Sequence, residues 1–184
     1  LMAINYRAYI EKVDQKIRAG ERTAKSKADI DKINKWHIGK NKMEVYAREL
    51  YKMEGELSSL IKEQKAIETK GKALDGKLKQ MDAELKKMKA ACTKVTKDIT
   101  ARKSKAKTPA QKNQFEAYAN KMMGQRDAVM RDGQRKEQIF KQELAKRKEM
   151  MAEYKQVTAA IVSIRKKGEK KMEAIKKIAD GLPK

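Results

Sequence analysis

Histidine, cysteine, proline and aromatic residues are all scarce in this chain, and each scarcity excludes something. His37 is the single histidine, so no multi-histidine metal site and no histidine-paired triad forms within one chain. Beside Trp36 it reads as a packing or surface residue. Cys92 is the single cysteine, so no intrachain disulfide forms. A lone cysteine fits a reducing compartment, and Leu1 to Tyr6 lacks an apolar leader core. Both point to an intracellular, cytoplasmic setting. Aromatics make up 5% of the residues, too few for a large globular core. No apolar run approaches the length of a membrane span. The glycines are isolated, with no G-x-x-x-x-G-K-[ST] run to cradle a phosphate. Carboxylates are plentiful but scattered, and they mark out no enclosed site. The expectation is a chain with no enzymatic activity, no cofactor and no metal.

What the sequence does hold is charge and helix formers. Its 184 residues include 47 Lys+Arg against 25 Asp+Glu, a formal net charge of +22. Ala, Glu, Lys, Leu, Met and Arg dominate, the mixture of long helices. Pro109 and Pro183 are the only prolines, so little interrupts a helix. A charge this large repels itself unless a partner neutralises it. Solubility alone is the plainer explanation. An anionic partner is the sharper one, and the uneven placement of the charge favours it.

The strongest pattern begins at Met43. Steps of three and four residues meet Met43, Tyr46, Leu50, Met53, Leu57, Leu60, Gln64, Ile67, Gly71, Leu74, Leu78, Met81, Leu85, Met88, Cys92, Val95 and Ile99. Only Gln64 and Gly71 interrupt this apolar seam, and a heptad repeat so sustained marks a coiled coil. Cys92 falls on the seam, where a buried, inert thiol is expected. The seam stops at a tip, Arg102 to Lys112, which has no apolar residue larger than alanine. Thr108-Pro109 there reads as a helix cap followed by proline at the first helical position. A third stretch runs from Pro109 to about Ala179. Its seam holds Phe115, Met122, Val129, Phe140, Met150, Tyr154, Val157, Ile161, Ile164, Ile175 and Ile178, weakened by Arg126, Gly133, Lys136, Glu143 and Arg147. A neighbouring column, Met123, Met130, Leu144, Met151 and Met172, widens the apolar stripe beyond what one partner helix covers.

The expected fold is therefore all-α: an elongated antiparallel coiled-coil hairpin over residues 40–184 with its basic tip at 102–112. An additional helical segment at 1–39 precedes it. A short link between long helices makes them antiparallel neighbours. Folding at 107–108 sets Ile99 near Phe115 and Leu60 near Tyr154. The N-terminal stretch is expected as one helix over about 3–38, weakened at Gly20 and bounded at Gly39. It packs beside the open end of the hairpin, extends the rod, or pairs with another subunit.

With Leu50 as heptad position a, the flanking e and g positions hold Glu54, Glu56, Glu63, Glu68, Asp75, Asp82, Glu84 and Asp98. The outward b column holds Lys65, Lys72, Lys79 and Lys86. Acids thus line the path of a partner helix while lysines point away. Two further basic clusters are Arg102, Lys103, Lys105, Lys107 and Lys112 at the tip, and Arg165, Lys166, Lys167, Lys170 and Lys171 near the end. These residues are the candidate contacts to an anionic partner.

Three functional classes follow. The first is a structural or adaptor protein that assembles in a larger complex, by self-association or with a protein partner along the apolar seam. The second is a sequence-nonspecific nucleic-acid-binding or packaging protein, gripping phosphates because aromatics for base stacking are lacking. The third binds an anionic membrane surface or an acidic filament such as a microtubule. Over about residues 43–180 the hairpin, with Gln114-Phe115 and Tyr118 after its tip, resembles the stalk proteins of flagellar and type III export systems (the FliJ and SctO type). That resemblance implies binding to an export ATPase ring.

Overall fold

The computed structural model describes residues 5–184. It contains three helices, α1 (Tyr6–Thr23), α2 (Lys27–Lys105) and α3 (Pro109–Gly181), and no strand among the described residues. The all-α class and the pairing of two long helices are as expected. Contacts divide the chain into two units. The first joins the described residues up to Ala66 with Tyr154–Lys184, and the second is Ile67–Glu153.

The first helical stretch breaks earlier than expected. A reciprocal cap begins α2: the Ser26 hydroxyl accepts from the Asp29 amide at 3.2 Å, and the Asp29 carboxylate accepts from the Ser26 and Lys25 amides. This capping box starts a new helix after an extended Ala24. The expected boundary at Gly39 is not a helix boundary, because α2 runs straight through it. Gly39 serves close approach instead. A Cβ there would sit 2.6 Å from Leu182 Cδ2. Gly20 does the same on α1, where a Cβ would sit 2.9 Å from the Trp36 ring.

The tip forms as expected. Thr108 Oγ1 accepts from the Gln111 amide at 3.2 Å, and Gln111 Oε1 accepts from the Thr108 and Lys107 amides. Proline at the following position has no amide to leave unpaired, so α3 begins there.

In the first unit, α1 lies against α2 and α3. Met43, Leu50 and Ile175 are 0% exposed and pack with Met172 and with Tyr6, Val13 and Ile17 of α1. Fully burying each such side chain contributes roughly 1.5–3 kcal/mol. Of the three arrangements open to the N-terminal segment, packing beside α2 and α3 is the one adopted. The Trp36 indole donates to the Pro183 carbonyl at 2.7 Å, tying down the end of the chain.

In the second unit, the two helices pair without a third. Every seam position from Ile67 to Ile99 is buried or half-buried, and so are Arg126, Gly133, Lys136, Glu143 and Arg147 opposite. The register differs from the expected one by about one heptad. Arg147 reaches Asp75, Glu143 reaches Lys77, Lys136 reaches Glu84, and Met88 faces Gly133. A heptad seam is compatible with any slip of a whole heptad. The observed alignment gives the polar interruptions of α3 partners across the seam.

Candidate functional site

Most acids beside the seam are engaged inside the fold, whereas Glu56 and Glu63 are exposed and form no ion pair within the described residues. Glu54 accepts from the Tyr6 hydroxyl and pairs with Arg7, and Glu49 pairs with Lys171. Asp14 holds Lys40 at 2.6 Å, and that bond keeps its carboxyl below the usual carboxylate range. In the second unit, Arg147 binds both oxygens of Asp75 and holds its carboxyl low in the same way. Glu143 is buried, which pushes its pKa up. Hydrogen bonds from Lys77 and Lys146 more than offset that, so it lies below its ordinary value.

The outward cations are mostly left over. In the second unit Lys72 and Lys79 are exposed and form no ion pair within the described residues, whereas Lys86 pairs with Asp82 at 3.0 Å. At the tip, Lys103, Lys105, Lys107 and Lys112 are exposed and likewise unpaired. Arg102 has a different role. Its Nε donates to Asp98 at 3.2 Å, and its guanidinium lies 4.1 Å from the centre of the Tyr118 ring. The Tyr118 hydroxyl also donates to Asp98. The Tyr118 bond first, then that from Arg102, lowers the Asp98 pKa, and the same contact raises that of Tyr118. Arg102 is thus part of a clasp that closes the tip. Sequence reasoning missed the clasp, although Asp98 and Arg102 stand one helical turn apart.

In the first unit, Lys65 is exposed on α2, and Arg165, Lys166, Lys167 and Lys170 are exposed on α3. The last four form no ion pair within the described residues. Lys171 is taken up by packing. It binds Glu49 and lies 5.6 Å from the Tyr46 ring centre.

Other chemistry is sparse. His37 is half exposed and bonds Glu21 at 2.9 Å. Cys92 is half-buried, with Sγ 4.0 Å from the Arg126 carbonyl. No group of three His, Cys, Asp or Glu among the described residues is placed to hold a metal ion. No helix there is long and apolar enough to cross a membrane. Tyr51, 69% exposed, is the one described aromatic that stands clear of the packing.

No protein-family model, curated protein or solved structure matches the chain. The resemblance to export stalk proteins therefore rests on the helix pairing and the Gln114-Phe115 and Tyr118 positions alone.

Proposed function

We propose that the chain is a non-enzymatic helical scaffold that joins a larger assembly and holds an anionic partner on its outer lysines. One observation carries this reading. Glu54, Asp75, Asp82, Glu84 and Asp98 are spent in pairs beside the seam, while Lys72, Lys79, the tip lysines and the basic residues of the Arg165–Lys170 run are exposed without ion pairs. Unpaired surface cations in such number attract and orient an oppositely charged surface. A nucleic acid would be held through its phosphates alone, because the aromatics that would stack bases are nearly all committed to packing.

The test is a pull-down from native lysate with and without nuclease, comparing the full chain with a variant carrying Gln at Lys72, Lys79, Lys103, Lys105 and Lys107. A partner that survives nuclease and is lost with the variant supports the reading. A partner that vanishes with nuclease shifts it to nucleic-acid binding. Equal capture by both chains overturns the role of these lysines.

A further inference from the structure

The second unit carries an apolar column that its two helices do not cover. Met123, Met130, Leu144 and Met151 are 39%, 47%, 39% and 43% exposed. They stand one heptad or two apart, on the edge of the seam. Beside them a groove of about 630 Å³ opens between α2 and α3. Leu85, Met88 and Cys92 of α2 and Met130, Phe140 and Leu144 of α3 line it. Gly133 lines it without a side chain, and a Cβ there would make ordinary contact with Met88 Cε at 3.7 Å.

The first unit shows what this heptad column accepts. There the matching positions are Ala47 and Glu54 on α2 and Met172 and Ala179 on α3. Met172 and the two alanines pack in the core that α1 completes, and Met172 is only 2% exposed. Glu54 takes the hydrogen bonds of Tyr6 and Arg7. An amphipathic helix, α1, is the occupant. In the second unit lysines outnumber acids around the column, with Asp82 and Glu137 also lining the groove. Lys72, Lys79 and Lys86 stand on the α2 side and Lys141 and Lys148 on the α3 side, all exposed. Lys86 alone of these has an acid partner, Asp82.

We propose that this groove docks an acidic amphipathic helix of a partner protein, an inference that rests on the anionic-partner reading and names that partner's chemistry. The partner's apolar stripe covers the methionines, whose flexible side chains adapt to a helix laid against them. Its flanking carboxylates meet the lysine rims. A second copy of this chain fits poorly, since two faces with the same basic rims repel. A membrane fits poorly as well, because the groove is concave and a flat surface would not reach into it.

The experiment is fluorescence anisotropy on the full chain with four probes. One is a synthetic acidic peptide of about three heptads with a leucine stripe, and one is its scrambled form. The others are polyglutamate and phosphatidylserine vesicles. The proposal expects the striped peptide to bind at least ~10-fold tighter than the scrambled one. It expects Met130→Glu with Leu144→Glu to erase that preference while polyglutamate binding and the helical circular dichroism persist. Bound striped peptide should also slow alkylation of Cys92. Polyglutamate binding without a preference for the stripe overturns the groove and leaves the anionic reading standing. Loss of both overturns the two together. Vesicle binding or dimerisation that Met130→Glu abolishes, with no peptide preference, assigns the face to a membrane or a second copy and overturns the proposal.

Discussion

Arg147 on α3 grips Asp75 on α2 through two hydrogen bonds, Nε to Oδ1 at 2.6 Å and a terminal nitrogen to Oδ2 at 3.3 Å. A forked contact of this kind fixes direction as well as distance. It is one of the contacts that selects a register among slips the heptad repeat treats alike. Asp75→Asn and Arg147→Met are each expected to lower the melting temperature. The double variant is expected to lose less than the sum, because either change alone already breaks the pair. A strictly additive cycle in thermal denaturation would show that the pair is not coupled.

The glycines separate into two groups with opposite expected outcomes. Gly55, Gly71, Gly76 and Gly124 have nothing within 4 Å of an added Cβ. Alanine at each is expected to stabilise by about 1 kcal/mol through helix propensity. At Gly20 the added methyl meets the rigid Trp36 ring at 2.9 Å and Ile33 at 3.1 Å. Overpacking there costs roughly 1–3 kcal/mol, enough to cancel or reverse the propensity gain. Chemical denaturation of the single variants reads the sign directly. Stabilisation by Gly20→Ala equal to that by Gly55→Ala would contradict the close packing of α1.

The core of the first unit concentrates its stability in few residues. Leu50→Ala removes a side chain that is 0% exposed and is expected to cost roughly 2–5 kcal/mol. Tyr51→Ala removes a neighbour that is 69% exposed and is expected to change little. Denaturant midpoints that shift equally for the two would contradict the burial pattern.

Acid is expected to weaken the fold. The carboxyls of Asp14, Asp75 and Asp98 all lie below their ordinary value of 3.8. Because their folded values are depressed, the stability they contribute is present above that ordinary value. It is lost as pH falls through the folded value. Melting temperature should therefore be level on the neutral side and drop once the pH falls below about 4. Asp98→Asn should remove part of that drop. A melting temperature unchanged down to pH of about 2 would rule out these pairings as contributors.

The helices and the seam were legible because burial imposes a period. Met43 to Ile99 could be read off residue by residue, and each position is buried or half-buried in the structure. The cap at Thr108-Pro109 was legible because its chemistry is local. The break at Ala24–Ser26 was not, since Gly20 and Gly39 looked like the natural interruptions and the Ser26–Asp29 cap is a weaker signal. Their real constraint is the Trp36 ring and Leu182, which sequence spacing does not reveal. The register was illegible for a related reason. Periodicity repeats every heptad, and only the pairing of Asp75 with Arg147 and Lys77 with Glu143 distinguishes the alternatives. Among the candidate contacts, Arg102 and Lys171 looked like the other cations. Their engagement with Tyr118 and Tyr46 depends on that pairing.

The proposed role of the outer lysines is tested most directly by equilibrium binding of the full chain to labelled polyglutamate. The comparison is with the variant carrying Gln at Lys72, Lys79, Lys103, Lys105 and Lys107, at ~50 and ~200 mM salt. Wild type is expected to bind at low salt and weaken steeply at the higher salt. The variant is expected to lose at least about tenfold in affinity with its helical signal intact. Equal affinity for the two chains, or binding indifferent to salt, would contradict it.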